Sequence, residues 1–346
     1  MRLSVIVPVH NGAAFLPRCL AALNASTRLP DEILVVDDGS IDESPRLAAL
    51  HGAHVLETVA GPRGPAHARN RGAAAAKGDI LVFIDADVLV HPDTIARLAS
   101  VLEGDASVHA VFGSYDDAPA AAGAVSRFKN LLHHYVHQHG RPEASTFWAG
   151  CGAIRRDTLL AMGGFAESFR KPSIEDIELG LRLRKAGLRI RLCADIQATH
   201  LKRWTLSSLW RTDIFARAVP WTRLILRERQ LPADLNLDWR SRLSAVSVMM
   251  CAALSLLTAG LLLLGVGDMA PWTGLAAATS LTVSALLNRR LYAFFYRHGK
   301  LGFTVSACML HLTYLLYSSA IFGALLLGRT LTARSGRESN PPASSP

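Results

Sequence analysis

Asp85 and Asp87 stand one residue apart at the end of an unbroken apolar run, Ile80-Leu81-Val82-Phe83-Ile84. Two carboxylates at i and i+2 of an extended chain can lean to one side, where they gather a hard divalent cation able to bridge phosphate oxygens that bare carboxylates would repel. The plainer use of the same residues is a turn, or the cap of a helix beginning near Pro92 and Asp93. Two further acidic pairs follow the same logic. Asp37-Asp38 precedes Gly39-Ser40 and closes another apolar run, and Glu175-Asp176 precedes the amphipathic stretch Ile177 to Ala186. A helix N-terminus favours carboxylates through its dipole, but one of that last pair would suffice. Arg69, Asn70 and Arg71, near the start of an alanine-rich helix over His67 to Lys77, suit an anion or simply face solvent. His133 and His137 have metal-ligand spacing on a helix over Val125 to His139, beside His134 and His139. With no acidic or cysteine partner nearby, a solvated or acceptor-facing helix is the simpler reading.

Strands and helices must alternate to bring these residues together. Leu3 to Val9 and Ile33 to Val36 read as buried strands, and the periodic Phe15, Leu16, Cys19, Leu20 and Leu23 lie between them as a helix. A short helix over Pro45 to Leu50 and a strand near Val55 lead through Gly61-Pro62-Arg63-Gly64-Pro65, a loop by composition, to the helix at His67. Ile80 to Ile84 carries nothing polar, so it is covered on both faces, as a central strand of a parallel sheet is. The first ninety or so residues therefore describe a doubly wound sheet whose ligand edge is the C-terminal end of its strands. Trp148 to Ile154 reads as a small-residue strand that permits close backbone approach. There is no Gly-x-Gly-x-x-Gly after the first strand and no Gly-x-x-x-x-Gly-Lys-Ser/Thr, so the dinucleotide and P-loop readings lose their main support.

The chain has 346 residues and a formal net charge of +9. Three stretches, Leu243 to Gly267, Met269 to Asn288 and Leu301 to Gly328, contain no Asp, Glu, Lys or Arg, and each has the length of a membrane span. Arg240, Arg242, Arg289, Arg290, Arg297 and Lys300 border them, which ties the positive balance to membrane orientation and anionic lipid rather than to nucleic acid. Counting crossings from the cytosolic side gives three, with Arg329, Arg334 and Arg337 left outside against the charge bias; a re-entrant third segment is the alternative. Leu206 to Arg229 interleaves Trp210, Ile214, Trp221 and Ile225 with arginines, an interfacial pattern kinked at Pro220. The five scattered cysteines fit a reducing compartment, and Met1-Arg2 before the first strand leaves no room for a secretory signal.

Ser4-Val-Ile-Val-Pro-Val-His-Asn11, Val36-Asp-Asp-Gly-Ser40, Ala68-Arg-Asn-Arg-Gly72 and Phe83-Ile-Asp-Ala-Asp87 together resemble the motifs of the family 2 glycosyltransferases with the GT-A fold, over Arg2 to His200. The resemblance implies that Asp38 or Asp37 touches the nucleobase of a nucleoside-diphosphate sugar, with Pro8 to His10 lining the same pocket. It implies Arg69 by the nucleotide, Asp85 by the ribose or metal, Asp87 on the metal and His200 as an imidazole ligand to it. Gly164, Phe165 and Glu175 would shape the acceptor side, and Asp176 would be the catalytic base. Processive relatives carry Gln-x-x-Arg-Trp; here His200 stands at the Gln position before Arg203-Trp204, which favours single-sugar transfer.

The expectation is an α/β GT-A domain, Rossmann-like with a doubly wound, mostly parallel sheet, over residues 1–202. A basic interfacial segment at 203–240, an all-α membrane region at 241–328 with about three helices, and a disordered tail at 329–346 would follow. The cofactor would be Mg2+ or Mn2+, and the partners a nucleotide-sugar donor, a lipid-linked or membrane-associated acceptor and membrane lipids, with no nucleic acid. The protein would be integral to a membrane, a bacterial inner membrane by this reading, with its catalytic domain cytoplasmic. The rival is a non-catalytic nucleotide-sugar sensor or scaffold. A transporter with a soluble appendage fits less well, because the apolar runs lack the buried charges of ion coupling.

Overall fold

The structure is a computed structural model that describes residues 1–58, 61–229 and 235–338. One compact unit comprises Met1–Leu209 and another begins at Trp210. In the first, β1 (Leu3–Val9), α1 (Leu16–Asn24), β2 (Glu32–Asp37), α2 (Ser44–Leu50), β3 (His54–Glu57), α3 (Pro65–Ala75) and β4 (Ile80–Ile84) alternate as expected. There follow β5 (Val88–Val90), α4 (Thr94–Gly104), β6 (Val108–Tyr115), α5 (Ala124–Gln138), β7 (Cys151–Arg155), α6 (Arg156–Ala161), α7 (Glu175–Lys185) and β8 (Arg189–His200).

The eight strands are ordered β3-β2-β1-β4-β7-β6-β8-β5. The first four run parallel, whereas β7 is antiparallel to both β4 and β6, and β5 is antiparallel to β8. The sheet is thus more mixed than its first ninety residues suggest. Ile80 to Ile84 are all fully buried, between the α1 side of the core (Leu16, Leu20) and the α3 side (Ala68, Ala73). On the α3 side the helix presses onto the sheet so closely that a Cβ on Gly72 would stand 2.5 Å from Ile6 Cγ2. That close approach lets Arg69, one turn earlier on α3, reach the C-terminal edge of β4.

Helical turns run from Leu206–Arg211 through Thr212–Ala218 and Val219–Glu228 at the start of the second unit, the middle segment wound more widely than an α-helix. The kink expected at Pro220 is instead this wide turn: proline offers no N–H and its ring crowds the carbonyl four residues back, and extra residues in the preceding turns make room. Among the described residues, three helices are long and apolar enough to cross a membrane, Trp239–Leu263, Gly267–Leu287 and Arg289–Leu331. The first two are clasped by Ser244 Oγ to Ser284 Oγ at 2.8 Å, Asn288 Nδ2 to Ser244 at 2.6 Å and Thr258 to Thr273 at 2.7 Å, the polar pairs that substitute for a hydrophobic driving force between helices in lipid. The third is broken at Lys300, whose φ of 57° lies in the left-handed region. Tyr292 Oη meets His311 Nδ1 at 3.1 Å across that break, so the chain doubles back there. Farther along, Tyr317 Oη donates to Asp213 Oδ2 at 3.0 Å and Arg329 donates to the Leu226 carbonyl. The last apolar run therefore lies beside the basic stretch.

The helix continues to Glu338, past Arg329 where a disordered tail was expected, because extending a formed helix costs far less than nucleating one. Residues 339–346 of that expected tail lie outside the described residues.

Candidate functional site

The edge formed by the C-terminal ends of β1 and β4 collects the acidic residues. The chain turns immediately after Ile84, with Val88 N donating to Asp85 O at 3.0 Å, so Asp85 and Asp87 are not consecutive same-side positions of an extended strand. They diverge. Asp85 Oδ1 accepts from Arg69 Nη2 at 2.7 Å, while Asp87 Oδ2 lies 3.5 Å from His200 Nε2. The turn reading holds, and the bend gives each carboxylate its own partner. Pairing of β5 with β8 sets Val88 opposite His200, and Leu201 N donates to Asp87 O at 2.8 Å, which fixes the second partnership.

Arg69, expected beside a nucleotide, is paired within the protein. It is 4% exposed, with Nη1 on Glu175 Oε1 at 2.8 Å and Nη2 on Asp85. Its guanidinium sits 5.5 Å from the centre of the Phe165 ring. A planar fork that serves two carboxylates at once is a use lysine could not match. Asn70, grouped with Arg69 as an anion contact, is structural too: Phe165 N donates to its Oδ1 at 2.8 Å and its Nδ2 donates to Phe165 O at 2.9 Å.

Gly164, Phe165 and Glu175, expected on the acceptor side, lie in a buried cluster behind Arg69. Phe165 is 2% exposed and packs edge-on against Phe83, and Gly164 holds a φ of 73° against Asn70. Glu175 is 4% exposed and also accepts from Ser173 N at 2.9 Å. These residues form the wall behind Arg69. Desolvation made the difference, since a carboxylate and a guanidinium so deeply buried persist only as partners.

Asp176 is half-buried and differently held. Its Oδ2 accepts from Ala149 N at 3.1 Å and its Oδ1 from Ile177 N at 2.8 Å. Burial, then the neighbouring Glu175 charge, push its carboxyl up to about 7 against the pull of Arg69 and the two backbone donors. Burial also raises Asp85, with Asp87 and Glu175 adding to it and Arg69 opposing. Asp87 is held below the ordinary carboxylate range: burial works against it, but the His200 hydrogen bond and charge and then Lys202 prevail.

Pro8, His10, Asp37 and Asp38 lie at the adjoining ends of β1 and β2. Asp38 accepts from Arg63 N at 2.9 Å, Gly64 N at 2.7 Å and Thr58 Oγ1 at 3.2 Å, and Asp37 accepts from Ser40 N at 3.1 Å. Both carboxylates are therefore buried under backbone donors and hold the loops in place, while the exposed His10 ring contacts Asp38 O through Nδ1 at 2.9 Å.

On α5, His134 Nδ1 and His137 Nδ1 satisfy the carbonyls of Tyr115 and Gly113 at 2.8 and 3.0 Å, where β6 and β8 shift register. The His133/His137 metal possibility gives way to helix-to-strand docking. Among the described residues no three His, Cys, Asp or Glu side chains converge as a metal cage. Three contributions were missed in the sequence: Lys202 acting on Asp87, the backbone N–H of Ala149, and Tyr115, whose ring lies against His200. Only the tertiary fold reveals them, through the register of β5 and β6 on β8 and the docking of α7 against Ala149.

Residues 4–162 match the family described as glycosyl transferase family 2. The O-antigen chain rhamnosyltransferase RfbN of Salmonella typhimurium is 25% identical over 238 residues, 64% of this chain and 74% of the relative. The pre-mycofactocin glycosyltransferase of Mycobacterium tuberculosis is 31% identical over 229 residues, 58% of this chain but 44% of the relative, so the chain spans less than half of that protein. The mannosyltransferase PcManGT from Pyrobaculum calidifontis, solved with GDP-Man and Mn2+, superimposes with a TM-score of 0.57 at 20% identity, covering 92% of this chain and 86% of the other. That likeness shows the fold, the GT-A arrangement expected from the motifs.

Proposed function

From the match of residues 4–162 to glycosyl transferase family 2, we propose that the chain moves a sugar from a nucleoside-diphosphate sugar to a hydroxyl of a lipid-linked or membrane-proximal acceptor, with inversion and one sugar at a time. The observation that carries this reading is Asp176. It is a carboxylate anchored by two backbone N–H groups, with an affinity for protons brought close to neutrality. A general base serves best with such a pKa. A non-catalytic sensor has no use for it, which is why that rival is set aside. The name of RfbN, an O-antigen chain rhamnosyltransferase, supports a growing glycan as the acceptor class, and three apolar helices support an acceptor met at a membrane.

Asp176 takes the proton from the acceptor hydroxyl, while Arg69 and Glu175 lock the start of α7 and so fix where that carboxylate stands. Pro8, His10, Asp37 and Asp38 border the donor's base. Lys202, whose charge already acts on Asp87, is a cation that would meet the departing diphosphate. Asp87 Oδ2 and His200 Nε2, 3.5 Å apart, are a carboxylate and imidazole pair that would hold Mg2+ or Mn2+ together with the donor's own phosphate oxygens, while Asp85 stays engaged by Arg69. Bound there, the cation would offset the charge of the departing diphosphate. Chelation should accordingly abolish turnover and Mn2+ or Mg2+ should restore it, measured as nucleoside diphosphate release from a panel of nucleotide sugars with membrane lipid extract present. Undiminished transfer in excess chelator would sink the metal assignment.

The membrane reading has its own test. Arg211, Arg217, Arg223, Arg227 and Arg229 bias the Leu206 to Arg229 stretch to the cytosolic side. Arg329 is bonded to that stretch at Leu226, which supports a re-entrant or in-plane third segment over the three full crossings that run length alone favours. A reporter fused after Gly328 should read cytosolic. A signal from the far side would restore the third crossing.

A further inference from the structure

We propose that Tyr115 is a positioning residue for the metal site: its ring sets the plane of the His200 imidazole so that Nε2 is presented beside Asp87. The inference rests on the reading of Asp87 and His200 as cation ligands. Tyr115 and His200 stack with ring centroids 4.4 Å apart and planes 9° apart. Strand register produces the contact. Tyr115 pairs with Ala198 across β6 and β8, and His200 lies two residues farther on the same face of β8, the diagonal position within reach of an aromatic ring.

The Tyr115 ring is itself held. Trp148 meets it edge-on at 4.8 Å, His133 lies 4.5 Å away, and His134 Nδ1 contacts its backbone carbonyl at 2.8 Å. At 7% exposed, the ring has little freedom to turn. His200 then has its flat face against Tyr115 and its Nε2 edge 3.5 Å from Asp87 Oδ2. Ligating histidines are commonly oriented by a hydrogen bond from the second ring nitrogen to a carboxylate or carbonyl. Here the flat ring contact does the orienting, and it fixes the imidazole plane without consuming a nitrogen.

The test uses the full chain in detergent with Mn2+ and inorganic pyrophosphate, and reads 14N coupling to the metal by electron spin-echo spectroscopy beside Mn2+ affinity. Wild type should show a nitrogen coupling that His200→Asn removes. Tyr115→Phe, which keeps the ring, should retain it. Tyr115→Leu should lose or alter it and bind Mn2+ about 10- to 100-fold more weakly, the range for outer-shell changes at metal sites. Circular dichroism in chelator establishes that each variant is folded; if Tyr115→Leu is not, Tyr115→Met, of similar reach but without a flat face, takes its place with the same expectation. A folded Tyr115→Leu or Tyr115→Met with unchanged nitrogen coupling and Mn2+ affinity overturns the proposal while leaving His200 a ligand. A wild-type Mn2+ signal with no nitrogen from His200 overturns the ligand reading and the proposal with it.

Discussion

Asp176→Asn is expected to lower sugar transfer by about 10²- to 10⁴-fold, the usual contribution of a general base, while leaving donor binding close to wild type. Asparagine keeps the carbonyl-type oxygen that accepts from Ala149 N or Ile177 N, so the start of α7 should survive the change. It removes the proton acceptor. Glu175→Gln should act otherwise, because Glu175 is buried on Arg69 and its amide would weaken that pair without touching the acceptor hydroxyl. Calorimetric donor affinity beside single-turnover transfer separates the two roles. Near-normal transfer by Asp176→Asn, or loss of donor binding in step with activity, would make Asp176 structural.

The pH profile follows from the same carboxyl. With Asp176 raised to about 7, the base form is scarce in mild acid, and transfer should climb as pH rises through that value. Asp176→Asn should flatten this limb. The stability linkage has the opposite sign. A carboxyl whose folded pKa exceeds its unfolded one holds a proton on folding, so its stabilising effect is present at low pH and is lost as pH rises toward and past about 7. The catalytically useful form is thus the one that folding disfavours, a pattern typical of functional sites.

Much of this was legible in the sequence because hydrophobic periodicity and turn residues are local signals. β1 through β4 and their helices fall where apolar runs and Gly or Pro punctuation put them, and Asp85 and Asp87 follow the end of β4. What could not be read was burial between distant segments. Arg69 reads as an exposed helix-start cation until Asp85 and Glu175, 16 and 106 residues away, close around it. Phe165 and Glu175 carry motif positions, yet a motif does not say which face of a loop turns inward. Antiparallel β7 was likewise invisible, since a small-residue strand reads the same in either direction. Tyr115 could not be paired with His200 without the register of β6 on β8.

Arg69→Met should destabilise the N-terminal unit by about 3–5 kcal/mol, the range for breaking a buried ion pair from one side. Methionine fills much of the volume over Phe165 but leaves Asp85 and Glu175 facing each other without a cation, with Asp176 close by. In a unit of this size that amounts to a fall in melting temperature of roughly 10 °C, followed by circular dichroism on the full chain. Arg69→Lys should lose less, since it keeps the charge but cannot serve both carboxylates together. The deficit of Arg69→Met should shrink on acidification, because carboxyls deprived of their cation are protonated more readily and the repulsion disappears with the charge. Adding Glu175→Gln to Arg69→Met should recover part of the loss, a non-additivity that only neighbours in one network show. If Arg69→Met melts within about 1 kcal/mol of wild type at neutral pH, or if its deficit grows in acid, the buried charges are not what holds this wall together.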